Sequence, residues 1–404
     1  MRILQLCLKP PYPPVDGGTL AMHSITQGLL DAGHEVQVLA VCSSKHPVRL
    51  SEQDAHYREQ TRFEAVEVDL EPHLWPALTA MLSGASYHVE RYRNRQLHER
   101  ITAALDRCSF DAVLVEGLFL TPYVPLIREH SQAPVILRAH NVEHHIWQQV
   151  ARGCRVPLKR SYLKHLALTL RHYEVEHIND YDAVVCISDE DAAWFRSHGC
   201  RRPLTSIPFG ITPEPMEHVD VEPGSLFHIG SMDWMPNQEG IGWFLREVWP
   251  RLHREVPQAH LYLAGRKMPR WMIESHIEGV DVVGEVADAM YFIASKQINV
   301  VPLLSGSGIR VKIIEAMSAG KTVVTTRTGA AGIRAEDGVH LLLADTADDI
   351  IAQVKRCIND PILCDRIGQN AYRLIAERYN TATLTEQLTT FICNVSEQLS
   401  SCCS

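Results

Sequence analysis

The chain has 404 residues, of which 46% are hydrophobic and 22% are charged, and its formal net charge is −9. This length is too great for a single hydrophobic core and predicts two domains of roughly 200 residues each. The acidic balance argues against a general nucleic-acid-binding protein, because such proteins neutralise phosphates with dense lysine and arginine.

The cysteines indicate a reducing environment. None of the eleven forms a C-x-x-C pair, and several, such as Cys7 and Cys186, lie inside apolar runs. This is typical of buried thiols in a cytosolic protein and argues against a disulfide framework or a zinc site. The N-terminal apolar run is too short for a signal peptide, and no apolar stretch approaches the roughly 20 residues that a membrane helix needs. We therefore expect a soluble, cytoplasmic protein.

Short apolar runs alternate with helical segments through the first half of the chain. The helix over 22–32 is amphipathic and is expected to end at Gly33. Runs this continuously apolar are typical of strands covered on both faces, so the alternation predicts a doubly wound α/β domain with a parallel sheet. The predicted strands are 3–8, 36–41, 113–115, 135–137 and 183–187.

A proline-rich loop, PPYPPVDGG, follows the first predicted strand and precedes a helix. Gly17 and Gly18 in this loop allow the backbone to approach a ligand, and the start of the helix offers N–H groups to an anion. The stretch matches neither the dinucleotide-binding fingerprint nor the P-loop lysine motif. A plain turn stays open as the alternative.

The run at 135–137 leads into LRAHNVEHH, which places His140 where a parallel strand should end. Sheets of this kind bind ligands at that edge, and an imidazole there can hydrogen-bond sugar hydroxyls or take part in proton transfer. The spacing of His140, His144 and His145 alone allows a metal site, but no aspartate or cysteine pattern supports one. We favour a capping or surface role for His144 and His145.

The segment 151–172 is basic and amphipathic and contains no acidic residue. It can lie on an anionic membrane surface or meet a phosphate-bearing acceptor, and an ordinary solvated helix face is the alternative. Its cations are Arg152, Arg155, Lys159, Arg160, Lys164 and Arg171.

Prolines and glycines concentrate in the middle of the chain and predict a hinge linker at 208–224. It separates a first domain at 1–207 from a second domain at 225–378, and 379–404 forms a terminal amphipathic helix and tail. Two doubly wound domains that face each other would place a ligand in the cleft between them. The second domain has predicted strands at 226–229, 261–264, 282–283, 298–304, 322–325 and 341–343.

Two further strand ends in the second domain carry polar residues. Asn237, after Pro236, is expected to cap the helix that follows the strand at 226–229. Arg266 and Lys267 follow the strand at 261–264 and are placed to meet a phosphate, although a solvated role for either cation stays open.

The stretch SGSGIRVKIIEAMSAG follows the predicted strand at 298–304. Its loop, which contains Ser307, Gly308 and Ile309, offers backbone N–H groups to a diphosphate. The loop therefore predicts a phosphate site between a strand and a helix.

Charged residues continue this pattern into the helix. Arg310 and Lys312 can neutralise a diphosphate. Glu315, on the first turns of the helix, can accept two hydrogen bonds from vicinal ribose hydroxyls, as the acidic residue of dinucleotide-binding folds does. The whole stretch predicts binding of a nucleoside diphosphate.

These motifs resemble those of the GT-B glycosyltransferases of the family four type, and the resemblance covers nearly the whole chain. It rests on PYPPVDGG, LRAHNVEH, IPFGI, HIGSMDWMPNQEG, LYLAGR and SGSGIRVKIIEAMSAGKTVVTT. The last stretch is the most specific, since it is similar to the family's EGFGLVxLEAMAxGxPVV region. The resemblance implies two Rossmann-like domains that face each other across a cleft, with the first binding the acceptor and the second the nucleotide sugar. It also implies that the terminal helix crosses back to the first domain.

The resemblance assigns roles to single residues. Glu315 matches the family's ribose-binding glutamate, and His140 matches a strand-end histidine that binds the sugar or positions the reacting groups. The family's other glutamate falls at Ser307, and its two phosphate-binding cations fall at Ser231 and Glu239, so the chain lacks all three. Arg310 and Lys312, with Arg266 as a further candidate, are expected to replace these cations. The implied donor site thus includes Gly17, Gly18, Arg266, Ser307, Gly308, Ile309, Arg310, Lys312 and Glu315.

The implied activity is that of a metal-independent, retaining hexosyltransferase with no cofactor, in which His140, Glu315 and Arg310 form the catalytic set. It would transfer a sugar from a nucleoside-diphosphate donor to a glycan or lipid-linked acceptor in bacterial surface glycan synthesis, with peripheral contact to the inner membrane. Two alternatives stay open. One is a weak or inactive nucleotide-sugar-binding protein, which the departures at Ser307, Ser231 and Glu239 favour. The other is a GT-B epimerase or phosphorylase.

Overall fold

The computed structural model describes residues 1–48, 54–212, 219–306 and 308–402. Contacts between residues divide the chain into two compact units. The first unit consists of Met1–Gly210 and Thr381–Ser404, and the second consists of Ile211–Asn380. Residues 213–218 of the predicted linker lie outside the described residues.

The first unit contains a seven-stranded parallel sheet with the order β3-β2-β1-β4-β5-β6-β7. The five predicted strands are confirmed. The sequence patterns missed β3 and β7, because these edge strands are short and partly exposed and so lack a continuous apolar run. The strands are β1 Arg2–Cys7, β2 Glu35–Cys42, β3 Glu64–Glu67, β4 Ala112–Glu116, β5 Val135–Ala139, β6 Ala183–Cys186 and β7 Leu204–Ser206.

Helices cover both faces of this sheet. Successive residues of β1 alternate between two hydrophobic clusters, with Leu4 and Leu6 in one and Ile3 and Cys7 in the other. The strands are therefore apolar on both faces, as expected for a doubly wound sheet. The helices are α1 Gly17–Asp31, α2 Ala55–Thr61, α3 Leu74–Ser83, α4 Tyr87–Glu90, α5 Arg95–Arg107, α6 Val124–His130, α7 Glu143–Gly153, α8 Pro157–His177 and α9 Asp189–Ser197, with a 3-10 helix at Leu118–Tyr123.

The second unit contains a six-stranded parallel sheet with the order β10-β9-β8-β11-β12-β13, which confirms the six predicted strands. The strands are β8 Ser225–Ile229, β9 His260–Ala264, β10 Val280–Gly284, β11 Ile298–Val301, β12 Thr322–Thr325 and β13 Leu342–Leu343. The helices are α10 Met235–Trp243, α11 Trp249–Glu255, α12 Arg270–Ile273, α13 Ala289–Ala294, α14 Val311–Ser318, α15 Arg327–Ala330, α16 Ala347–Asn359 and α17 Pro361–Arg378, with a π-helical turn at Phe244–Val248.

The last helix, α18 (Thr381–Cys402), belongs to the first unit and packs on α1. Leu388 and Ile392 of α18 are fully buried in the same cluster as Ile25. The two helices approach closely at Gly28, where a Cβ atom would lie 2.1 Å from Oγ1 of Thr385. Glycine in the middle of α1 therefore makes room for α18.

Each sheet has one position where the strand order reverses. It lies between β1 and β4 in the first sheet and between β8 and β11 in the second. Loops diverge at the carboxyl ends of such strand pairs, and ligands of open α/β sheets bind in the crevice that results. The fold therefore predicts a ligand site at each of these two strand ends.

The fold also gives the state of the cysteines and the character of the helices. The nine cysteines whose side chains the structure describes are free, and Cys7 and Cys186 are buried as predicted. No helix within the described parts of the chain combines the length and the apolar character that crossing a bilayer requires.

Candidate functional site

The first candidate site lies at the carboxyl edge of the second sheet. The strand order reverses there between β8 and β11, and β11 leads through a loop into α14. The stretch singled out in the sequence is this loop and helix. Its predicted residues are therefore brought to the edge where parallel sheets bind ligands.

The loop between β11 and α14 presents unused backbone donors. Gly306 and Gly308 adopt φ angles of 114° and 80°, a region that favours glycine. The N–H groups of Gly306, Gly308 and Ile309 donate no hydrogen bond to another described residue, and α14 has no side-chain cap at Arg310. These donors and the helix start are available to an anion. The predicted residue Ser307 lies outside the described residues.

The ammonium group of Lys312 reaches from α14 to the end of β8. It donates to Oδ1 of Asn237 at 2.5 Å and lies 3.3 Å from Nε2 of His228. His228 is fully buried, and its Nδ1 lies 2.8 Å from the carbonyl oxygen of Val300. Nδ1–H therefore donates to that carbonyl, and Nε2 accepts from the lysine. A Cβ atom at Gly230 would lie 2.7 Å from the ammonium nitrogen, so glycine leaves the space that the lysine occupies.

Burial lowers the pKa values of Lys312 and Arg310. Burial, together with repulsion from Arg310, lowers the pKa of Lys312 to about 7, against an opposing effect of Glu315. Burial lowers the pKa of Arg310 to about 10, and the carbon at the centre of its guanidinium group lies 5.1 Å from the centre of the Trp234 ring. A bound anion would favour the charged forms of both side chains, because its negative charge offsets the cost of burial.

Glu315 lies on α14 and is half-buried. Its carboxylate makes no hydrogen bond and no ion pair with any other described residue. Burial raises the pKa of Glu315, and the charge of Lys312 partly opposes this. A carboxylate with unused acceptor sites at the edge of a parallel sheet is suited to accept hydrogen bonds from hydroxyl groups.

The two positions where the family has phosphate-binding cations have other roles here. The hydroxyl group of Ser231 donates to Asp233 at 2.6 Å, and the carboxylate of Glu239 accepts from the hydroxyl group of Ser305 at 2.7 Å. Neither side chain supplies positive charge. The ammonium group of Lys312 approaches the same strand end from another helix.

The prediction that Asn237 caps a helix is wrong. The helix α10 begins at Met235 with Trp234 as its N-cap, because Pro236 fits within a first helical turn, where its missing N–H group is not needed. Asn237 is buried in that turn and donates to the carbonyl oxygen of Ser231 at 2.7 Å while accepting from Lys312. It thus joins the loop after β8 to the cation on α14.

Arg266 lies on the loop that follows β9, the neighbour of β8. It is half-buried, and its carbonyl oxygen accepts from the N–H group of Met232 at 2.9 Å. The predicted residue therefore lies at the same edge of the sheet as Lys312. The adjacent Lys267 forms an ion pair with Asp233 at 2.7 Å.

The second candidate site lies at the carboxyl edge of the first sheet. Gly17 and Gly18 form the first turn of α1, which Asp16 caps by accepting the N–H group of Thr19 at 2.9 Å. The ammonium nitrogen of Lys9 lies 2.7 Å from the carboxylate of Asp16. A Cβ atom at Gly18 would lie 3.0 Å from this nitrogen. The cap uses one of the N–H groups expected to be free, and Gly18 makes room for the lysine.

His140 follows β5 directly and is nearly buried. Its Nε2 lies 2.6 Å from Oε2 of Glu116, the last residue of β4. Glu116 is fully buried, accepts from Gln5 at 2.8 Å, and lies 3.6 Å from the fully buried Arg138. Sequence analysis missed Glu116 and Arg138. The available signal was a charged residue at or next to the end of each apolar run.

The prediction of a surface or capping role for His144 is wrong. This side chain is buried, and its Nδ1 lies 2.6 Å from Glu174 because α8 passes the start of α7. Glu174 also accepts the N–H group of Glu143 at 3.0 Å, so it serves the first turn of α7 from another helix. Within the described parts of the chain, no group of three or more His, Cys, Asp or Glu side chains is arranged to hold a metal ion.

Glu143 and Glu174 form a buried acidic pair. Burial, and then the charge of Glu174, raise the pKa of Glu143 to about 8. Burial raises the pKa of Glu174 to about 7, partly opposed by the N–H groups of Glu143 and His144. At neutral pH this pair therefore retains protons that exposed carboxyl groups would have lost.

Two family models match the chain. The model of glycosyltransferase family 4 matches residues 15–215, and that of glycosyl transferases group 1 matches residues 223–360. The first match includes His140, and the second includes the loop and helix around Glu315. These matches confirm the family resemblance found in the sequence.

Individual proteins resemble the chain along nearly its whole length. An uncharacterised 44.6 kDa protein in the cps region of Klebsiella pneumoniae is 21% identical, over 94% of this chain and 97% of the relative. HepE from Anabaena, solved in complex with UDP, is 17% identical with a TM-score of 0.66, over 98% of this chain and 100% of HepE. WaaG, a glycosyltransferase involved in lipopolysaccharide biosynthesis, is 17% identical with a TM-score of 0.64, over 96% of this chain and 99% of WaaG. The structural matches confirm the GT-B fold.

The buried pair makes stability depend on pH in a defined direction. In the unfolded chain Glu143 returns to its ordinary pKa of 4.5, while the folded pKa is about 8. Between these values the folded state binds a proton that the unfolded state has lost, so stability falls as pH rises. Glu143→Gln does not titrate. We compare the free energy of unfolding of this variant with that of the wild type at each pH. The variant's stability relative to the wild type should rise by about 1–3 kcal/mol from pH 5 to pH 8.

Urea unfolding of both proteins at the two pH values measures this difference. Glu129→Gln is the matched control, because its carboxylate is exposed in the same unit. An equal difference between Glu143→Gln and the wild type at pH 5 and pH 8 would contradict the prediction.

Proposed function

Because the chain belongs to the glycosyltransferases with the GT-B fold, we propose that it transfers a sugar from a nucleoside-diphosphate sugar to a glycan or lipid-linked acceptor. We assign this reaction to the synthesis of a bacterial surface polysaccharide. The relative from a cps region and the similarity to WaaG support this assignment. UDP is the first nucleotide to test, since HepE binds it.

The observation that carries the donor class is the combination of features around α14. The loop before the helix offers N–H groups, Lys312 brings an ammonium group to the end of β8, and Glu315 offers a carboxylate with unused acceptor sites. In the proposal the loop and the cations bind the diphosphate, and Glu315 binds the ribose hydroxyls. Arg310 and Arg266 add positive charge at the same edge.

The proposed chemistry needs no metal ion. As the bond between sugar and diphosphate breaks, negative charge grows on the leaving diphosphate, and Lys312, Arg310 and the loop N–H groups stabilise it. The family resemblance supports retention of the anomeric configuration, by attack of the acceptor on the side that the diphosphate leaves. His140, in the first unit, contacts the sugar or positions the reacting groups. The first unit binds the acceptor in this proposal.

A thermal-shift screen with UDP, GDP, ADP, CMP and their sugars, each with and without EDTA, tests the donor proposal. A ligand at 100 times its dissociation constant should stabilise the protein by about 2.7 kcal/mol. We expect nucleotides of one base to stabilise the protein, and EDTA to leave this stabilisation unchanged. Glu315→Gln should weaken binding of that nucleotide about tenfold, because a charge-assisted hydrogen bond is lost.

Glu274→Gln is the matched control in this screen, since its side chain is exposed in the same unit. No stabilisation by any nucleotide would refute the donor site. Binding without transfer or donor hydrolysis would instead favour the inactive, nucleotide-sugar-binding alternative.

Lys312 should make nucleotide affinity depend on pH. The pKa of its ammonium group is about 7 without ligand, and a diphosphate favours the charged form, so binding above pH 7 requires uptake of a proton. We expect the UDP affinity of the wild type to fall between pH 7 and pH 9, by up to about tenfold per pH unit. Calorimetric titration at three pH values measures this slope.

Lys312→Met cannot take up the proton, so its UDP affinity should be low at pH 7 and nearly constant up to pH 9. Lys355→Met is the control, because this lysine of the same unit lies on α16 and is paired with Glu255. A wild-type affinity that does not change across this range would exclude the proposed role of Lys312.

We also propose that the corner between α7 and α8 contacts an anionic membrane. Val156 and Leu158 are exposed there, Leu158 to 86%, beside the exposed cations Arg155, Lys159 and Arg160. Apolar side chains flanked by lysine and arginine are typical of peripheral binding to anionic lipids. Such contact would bring the protein to a lipid-linked acceptor.

Sedimentation with vesicles tests this contact. Lys159→Glu combined with Arg160→Glu should abolish binding to vesicles that contain phosphatidylglycerol, and raised salt should weaken wild-type binding. Reversal of two exposed cations in the second unit, Arg254 and Arg270, should have no effect. Equal binding to neutral and anionic vesicles would contradict the electrostatic basis of the proposal.

A further inference from the structure

Glu116 is the buried partner of His140. The two residues follow each other at the ends of neighbouring strands, with Glu116 closing β4 and His140 coming directly after β5. Oε2 of Glu116 lies 2.6 Å from Nε2 of His140, and Glu116 has no exposed surface. The carboxylate therefore contacts one ring nitrogen from inside the protein, and Nδ1 remains on the other side of the ring.

The charge of Glu116 is balanced by other groups. Arg138, one strand away and also fully buried, lies 3.6 Å from Oε2, and Gln5 donates to Oε1 at 2.8 Å. Burial alone would raise the pKa of Glu116, but Arg138 and the hydrogen bond from His140 lower it. The group is therefore a carboxylate that accepts hydrogen bonds. Cys7, in register on β1, is also a titratable neighbour of Glu116.

The second ring nitrogen of His140 is available. Nδ1 makes no hydrogen bond with another described residue, and it is not sealed from solvent. A carboxylate that accepts Nε2–H fixes the tautomer of a neutral imidazole and leaves a lone pair on Nδ1. The same arrangement orients the histidine in catalytic triads.

We propose that Glu116 is a positioning residue, which holds the Nε2 proton of His140 so that Nδ1 accepts a hydrogen bond from a sugar hydroxyl group. This inference rests on the proposed glycosyltransferase function and adds a residue that the sequence motifs did not indicate. The hydroxyl group belongs either to the donor sugar or to the acceptor. Both present the same chemistry to Nδ1, and the experiment separates them.

The first measurement reads the tautomer directly. Two-bond proton–nitrogen NMR spectra of protein labelled with ¹⁵N-histidine should show His140 with its proton on Nε2, and His140→Gln assigns the signal by its loss. Glu116→Leu, which has no acceptor atom, should remove this preference. Because Glu116→Leu leaves Arg138 buried without its carboxylate and can unfold the protein, Glu116→Asp is the second variant. It keeps the charge but withdraws it from Nε2. An unchanged tautomer in both folded variants overturns the positioning role.

The second measurement compares the affinities of UDP and UDP-glucose and the rate of UDP-glucose hydrolysis. If Nδ1 binds a hydroxyl group of the donor sugar, His140→Gln and Glu116→Asp should weaken the binding of UDP-glucose by about 3- to 10-fold and leave the affinity for UDP unchanged. For an acceptor hydroxyl group, both affinities should persist while hydrolysis, with water as the acceptor, falls by about tenfold or more. If a variant with an altered tautomer shows neither the weaker UDP-glucose binding nor the slower hydrolysis, the proposal is overturned.

Asp106→Asn is the matched control. Asp106 forms a carboxylate–histidine pair with His130 at 2.8 Å on the exposed surface of the same unit, so its loss should change neither affinity nor hydrolysis. Failure of the wild type to bind any nucleotide refutes the proposed function. The tautomer measurement then still decides whether Glu116 positions His140.

Discussion

Every strand in both sheets is parallel to its neighbours, so each connection returns over a face of the sheet and the carboxyl ends of the strands collect at one edge. Both faces are then covered by helices, and a polar side chain avoids the core most easily at a strand end. The clusters at the two candidate sites obey this constraint. Lys312 reaches the end of β8, and Glu116 and His140 stand at the ends of β4 and β5.

Buried charges at these edges are held by specific partners. Glu116 contacts Arg138, Gln5 and His140, and Lys312 contacts Asn237 and the buried His228. The two clusters differ in balance. The carboxylate of Glu116 has a cation beside it. Among the described residues, the hydrogen-bond partners of the Lys312 ammonium group are the uncharged Asn237 and His228, and burial lowers the pKa of Lys312 to about 7. An anionic ligand would therefore stabilise the charged form of Lys312 more than that of a cation already paired with a carboxylate. This is the physical basis of the donor proposal.

The position of Lys312 bears on the two places near β8 where the chain departs from the family pattern. Ser231 and Glu239 carry no positive charge, and both form hydrogen bonds on the loops near β8. Lys312 reaches the same strand end from α14, and Gly230 leaves room for it. A phosphate responds to the place of a charge and to its distance, and the position in the chain from which the side chain extends has no effect. We therefore propose that Lys312 supplies, from another position in the chain, the positive charge that Ser231 and Glu239 lack.

The sequence alone determined the α/β class and eleven of the thirteen strands. It also determined that the stretch around Glu315 is a loop and helix after a strand. Continuous apolar runs and glycine-rich strand ends are local signals, so the sequence carries them without the fold. It missed the edge strands β3 and β7, where partial exposure interrupts the apolar pattern. Only the tertiary structure joined Glu116 to His140 and Asn237 to Lys312, since these partners lie 24 and 75 positions apart and no local pattern relates them. Strand order and helix packing set which buried charges meet, and therefore what the sites can bind.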